Sequence, residues 1–126
     1  MVLDLYWRTE KKVAQDYMIF VHLLGSAHNP ATGGPVWGGR DSRPVDGGYP
    51  TNQWMVGDVI VDRHVVALEE NAPPGEYQIE VGMYNPQNGE RLPVTLADGT
   101  SGADRLILQT SLRVRARNAY ALAADD

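Results

Sequence analysis

The chain contains no cysteine, which excludes a disulfide framework, a thiol nucleophile and cysteine-ligated zinc together. It also lacks any apolar run near the ~18 residues that a membrane-spanning helix requires. The opening MVLDLYWRTE has neither the basic segment nor the long apolar core of a signal peptide, so no membrane insertion by this chain is expected. A basic surplus is missing as well: 11 Lys and Arg stand against 16 Asp and Glu, a formal net charge of -5. Nucleic-acid binding, which needs cations to displace counterions from phosphates, is therefore not expected. Helical periodicity is scarce throughout.

What the chain has in quantity is punctuation. Thirteen glycines and eight prolines cut its 126 residues into short segments, most of them rich in the Val, Ile, Tyr and Trp that strands favour. The length suits one domain with a core of its own, read as residues 1–117, with NAYALAADD (118–126) as a tail or linker. The clearest segment is PPGEYQIEVGMYNPQNGERLPV. Pro73, Pro74 and Gly75 stop whatever precedes them. Tyr77, Ile79, Val81 and Met83 then alternate with Glu76, Gln78 and Glu80, the period of two that marks a half-buried strand. Asn85 to Gly89 supply turn residues, Gly89 being suited to a positive φ, and Glu90 to Val94 are expected to return as the second strand of a hairpin.

Other expected strands are Val2 to Arg8, Asp16 to Leu24, Val36 to Ser42, Val59 to Leu68 and one or two pieces between Arg105 and Arg117. DYMIFVHLL is apolar on both faces and should be central in its sheet. GDVIVDRHVVAL changes apolar phase near Arg63 and His64, which predicts a bulge. RDSRPVDGGYPTNQW is a long connection of the kind that often carries function. Seven or eight short strands without intervening helices predict an all-β fold, an Ig-like sandwich of two antiparallel sheets.

The succession LYWR, DYMIFVHLL, GGYPTNQWMVGDVIVDRHVVAL and PPGEYQIEVGMYNPQNGERLPV resembles the β-sandwich accessory domain attached to polytopic membrane glycosyltransferase-like proteins of bacteria, over roughly residues 3 to 114. That resemblance implies an extracytoplasmic Ig-like module with no established activity, no cofactor and no catalytic residues. In such domains a further strand usually precedes the Tyr-Trp strand. Here Val2 to Arg8 would form an edge guarded only by Asp4 and Arg8, so a symmetric homodimer formed by edge pairing or by strand exchange is expected.

Enzyme chemistry finds little support. No serine sits in a Gly-x-Ser-x-Gly elbow. His22, His28 and His64 have imaginable partners in Asp41, Asp58 and Asp62, yet only Asp62 and His64 share a strand face by spacing, and zinc needs three or four ligands. His22, flanked by apolar residues, reads as a hydrogen-bonded core or interface histidine. The acidic stretch around Asp98 and Asp104 does not follow a calcium-loop spacing. No metal site and no catalytic residue are predicted. The suggestive functional signal is aromatic: Trp37, Tyr49 and Trp54 lie in the glycine-rich middle third and would form a stacking platform for a sugar. The competing role, which carries more weight, is to plug the ends of the sandwich. The chain is thus expected to be a non-catalytic binding module, with a glycan as the specific candidate ligand and a structural or protein-interaction domain as the alternative.

Overall fold

A computed structural model describes residues 1–115. Arg117, the end of the expected domain, and the expected tail 118–126 lie outside the described residues. Six strands are present: β1 (Val2–Arg8), β2 (Met18–Asn29), β3 (Gly34–Ser42), β4 (Val59–Val65), β5 (Gly75–Tyr84) and β6 (Leu106–Val114). They form two antiparallel sheets, β1-β4 and β3-β2-β5-β6, and there is no α-helix among the described residues. The all-β, sandwich-like expectation therefore holds, with six strands in place of seven or eight.

The centre follows the sequence pattern. Residues 18–24 of DYMIFVHLL form the first part of β2, which runs on to Asn29 and lies between β3 and β5, central in its sheet as expected. On its inner side Val21 and Leu23 meet Ile79 and Val81 of β5, while Leu3, Leu5 and Trp7 of β1 pack against them with Val66 from just beyond β4. Tyr77, Ile79 and Val81 are buried as the alternation predicts, and Met83 is half-buried.

Two expectations are corrected. Glu90 to Val94 is not a strand. The turn closes as anticipated, with Gly89 at φ 75° and its N–H donated to the Asn85 carbonyl at 2.7 Å, but the return goes no further than an Arg91–Tyr84 bridge, an Asn85 N–H bond to Glu90 and a Leu92 N–H bond to Met83. Pro93 has no N–H with which to extend a ladder, and Val94 turns instead to pair with Gly102 and Ala103. The place beside β5 is taken by β6.

The second correction concerns β4, which has no bulge. Its register with β1 is continuous from Val2–Val65 to Arg8–Val59. Ile60, Asp62 and His64 point inward, followed in phase by the buried Val66, while Val59, Val61 and Val65 are exposed. The apparent change of apolar phase arises because the outward row is the one made of valines.

The long connection from Arg43 to Asp58 contains two short 3₁₀ turns, Pro44–Gly47 and Thr51–Gln53. It carries the chain from the four-stranded to the two-stranded sheet. Thr51 pins it: its hydroxyl donates to the Gln15 carbonyl at 2.6 Å and accepts the Tyr17 N–H at 2.9 Å.

Candidate functional site

On the outer face of the four-stranded sheet, away from β1 and β4, polar side chains converge on a buried carboxylate. β2 and β5 pair so that His22 lies directly opposite Glu80, and the Glu80 side chain is only 3% exposed. Its Oε1 sits 2.9 Å from His22 Nδ1, and its Oε2 accepts a bond from Arg105 Nη1 at 2.6 Å. Arg91, in the chain that follows β5, reaches within 3.9 Å of the same carboxylate and 3.6 Å of Asp104. On the other side, Asp41 of β3 lies 3.7 Å from His22 Nε2 and accepts the Tyr84 hydroxyl at 2.8 Å. Burial raises the Tyr84 phenol above its ordinary range, and the bond to Asp41 adds to the effect.

The floor is Phe20. Its ring stacks on His22 with centroids 5.0 Å apart, and the Arg91 guanidinium lies 4.1 Å above its centroid, an arrangement in which the ring quadrupole attracts the cation. Gly82 makes this possible, since a Cβ there would come within 2.3 Å of the Phe20 ring. Above the floor is a cleft of about 190 Å³ lined by Phe20, His22, Asp41, Tyr84, Gly89 and Arg91. Counted together, three carboxylates (Asp41, Glu80, Asp104) face two guanidiniums (Arg91, Arg105) across His22. The carboxylates exceed the guanidiniums by one, so an anion would find no net countercharge here, whereas a neutral group with hydroxyls would find fixed donors and acceptors.

The expected platform is distributed elsewhere. Trp37 is 5% exposed and donates its indole N–H to the Ala27 carbonyl at 3.0 Å; Trp54 is 3% exposed and donates to the Tyr49 carbonyl at 2.9 Å. Both indoles are packed as plugs, with their polar tips satisfied by backbone. Tyr49 is half-buried, and its hydroxyl donates to Asp58 at 2.7 Å, a bond that raises its pKa. Trp54 and Tyr49 are thus brought together, Trp37 is not, and neither indole turns a face to solvent.

Trp54 also contributes to a second hollow. Trp7 and Met83 line both an apolar cavity of about 210 Å³ and a wider groove of about 410 Å³ that runs past Trp54. At that groove the Thr9 hydroxyl bonds to the Lys11 carbonyl, but the charged side chains Arg8 and Glu10 make no hydrogen bond among the described residues, unlike those of the outer cleft. Preorganised polar groups give a pocket its specificity, which favours the outer cleft.

A third cluster is wholly internal. Asp62 and His64 are both fully buried. Asp62 accepts from Trp7 Nε1 at 3.1 Å, from His64 Nε2 at 2.6 Å and from the Val45 N–H at 2.8 Å. Burial pushes its carboxyl up, but these bonds outweigh it and leave the pKa below the ordinary 3.8. His64 Nδ1 has no hydrogen-bond partner among the described residues. The shared face of Asp62 and His64 was legible from their spacing. With both side chains withdrawn from solvent, their role is to hold Trp7 and Val45 in place. Among the described residues no group of three His, Cys, Asp or Glu is placed to hold a metal ion.

Comparison of the chain with protein-family models, curated proteins and solved structures gave no match.

Proposed function

We propose that this domain is a non-catalytic binding module whose ligand is a neutral carbohydrate, held in the outer cleft by Asp41, His22, Tyr84 and Arg91. One observation carries this: fixed donors and acceptors converge over an aromatic floor. Sugar hydroxyls each donate and accept, so they match such a set, and every polar side chain of the cleft is already held in place by a neighbour, which lowers the ordering cost of binding. The cleft is smaller than the ~300–1,000 Å³ typical of drug-sized ligands, which suits one ring of a glycan. No serine or threonine hydroxyl lines it, and the Tyr84 hydroxyl is bonded to Asp41 in place of His22. An Ig-like accessory domain, placed outside the cytoplasm beside a membrane glycosyltransferase-like protein, is the setting that fits this role.

Glycan-array binding followed by calorimetry tests the assignment. Arg91→Ala and Asp41→Ala should each weaken binding about tenfold or more, the magnitude expected for one charge-assisted hydrogen bond, with circular dichroism unchanged. Glycan binding that survives both substitutions would remove the cleft as the site.

A protein-interaction role is the second reading. It is favoured by the exposed row of Val2, Tyr6, Val59, Val61 and Val65 on the outer face of β1-β4.

A further inference from the structure

We propose that the free edge of β1 pairs antiparallel with the same edge of a second copy, in a register with Tyr6 opposite Tyr6 on the twofold axis. The reasoning starts with which backbone groups are free. Met1 and Val66 exchange both backbone bonds, at 2.9 and 2.8 Å. In an antiparallel ladder such pairs alternate with non-bonded ones. The register continues through Leu3–His64, Leu5–Asp62 and Trp7–Ile60, so the odd residues of β1 turn their N–H and C=O groups toward β4. The even residues, Val2, Asp4, Tyr6 and Arg8, turn theirs the other way. Along that edge β1 has no strand neighbour, and no backbone bond from Asp4, Tyr6 or Arg8 leads elsewhere among the described residues. The far edge of β4 differs, for the turn at Pro44–Gly47 packs against β4 and Val45 bonds to Asp62.

β1 carries none of the usual edge guards: no proline, no lysine and no bulge. Its two charges instead select a partner. Edge-to-edge pairing must set even residues against even residues, so the registers differ by the residue on which Asp4 lands. One register sets Asp4 against the partner's Asp4, and another sets Arg8 against the partner's Arg8; like charges directly opposite are unfavourable. The register centred on Tyr6 sets Asp4 against the partner's Arg8 and Arg8 against the partner's Asp4. Arg8 makes no ion pair among the described residues. Asp4 is held by Arg63 at 2.8 Å, which fixes its carboxylate on the outer face where the partner's Arg8 would meet it. Tyr6 is 69% exposed and would lie beside the partner's Tyr6. On the inner face Leu5 would lie opposite the partner's Trp7. The two short sheets then become one of four strands, β4-β1-β1-β4, held by about six new backbone bonds. The segment DLYWR, Asp4 to Arg8, is thus complementary to itself in charge when reversed, and that singles out a second copy as the occupant.

Sedimentation equilibrium across concentration, with three variants, tests this. The chain of 13.9 kDa should pass from monomer to dimer with a dissociation constant of the order of micromolar, as suits an interface at the small end of the range. Arg8→Glu should raise that constant about tenfold or more. Tyr6→Pro removes an outward N–H without touching the β4 ladder, and should give a monomer with unchanged circular dichroism. Tyr6→Cys supplies the register readout even if the proline variant fails to fold. Bonded cross-strand pairs have Cα atoms about 5.5 Å apart, within disulfide range, so mild oxidation should link two copies. Asp4→Cys should not link to itself, because its twin would be about 13 Å away. A parent chain that stays monomeric to about 1 mM, a dimer that persists in a folded Tyr6→Pro variant, or linking through Asp4→Cys in place of Tyr6→Cys would each overturn the proposal.

Discussion

Asp62 shows how much one side chain can organise. It satisfies the indole N–H of Trp7, the imidazole of His64 and the backbone N–H of Val45. Val45 itself is at φ 56°, a left-handed conformation costing about 1–3 kcal/mol for a side chain of this kind, and its bond to Asp62 helps hold it there. Asp62→Ala would leave these donors buried and unpaired, so a loss of roughly 3–5 kcal/mol in unfolding free energy is expected from chemical denaturation. The pH dependence has a definite sign. Because the folded-state pKa of Asp62 is depressed, its contribution is present above the ordinary value of 3.8 and is lost as pH falls through the folded value. Melting temperature should therefore drop on acidification below about pH 4, and Asp62→Asn should flatten that part of the profile. An unaltered acid profile in the asparagine variant would show that the carboxylate is not the source. The outer cleft was harder to read at this scale. His22 and Glu80 are far apart in the chain, and only the cross-strand register brings them face to face. A visible signal did exist: Gly82 within a strand marks a close approach, in this case by Phe20.

Two strands separate what alternation can and cannot reveal. In β5 the apolar row is buried, so Tyr77, Ile79 and Val81 were assigned correctly from period alone, although Glu80 of the opposite row is buried too. In β4 the apolar and buried rows do not coincide. The inward row holds Asp62 and His64, which become tolerable inside only because Trp7 and Val45 complete their bonding, and those partners lie far off in sequence. No local pattern encodes that compensation, so the valines suggested a change of phase, and with it a bulge, that the strand does not have. A matched pair of substitutions tests both assignments. Val81→Asp, at 3% exposure, should abolish the folded state, since an unpaired charge would be buried. Val61→Asp, at 51% exposure, should change stability by no more than about 0.5 kcal/mol. Equal tolerance of the two, measured by circular dichroism and proteolysis, would mean that the inner and outer faces are not as described.

The molecule as a whole is unequal in its two layers, and that inequality predicts how it opens. β2 and β5 each have a bonded strand on both sides and contribute Val21, Leu23, Ile79 and Val81 to the core. Their amides can be released only when the four-stranded sheet comes apart, so they should exchange hydrogen at the slowest, global rate. β1 and β4 form a ladder of two strands with one face wet, and such ribbons are marginal on their own. What anchors them is the inward row of Leu3, Leu5 and Trp7, with Val66, on the larger sheet. The β1-β4 layer is therefore expected to open before the rest, with an intermediate exchange rate. Within β1 the rates should alternate at dilutions where the chain is monomeric. Leu3, Leu5 and Trp7 donate toward β4 and should be protected, while Asp4, Tyr6 and Arg8 face the open edge and should exchange about as fast as unstructured amides. Raising the concentration should slow the second set without changing the first. Uniform protection along β1 at low concentration would place another segment of the chain on that edge, and protection of β1 equal to that of β2 would show that the two sheets open as a single unit.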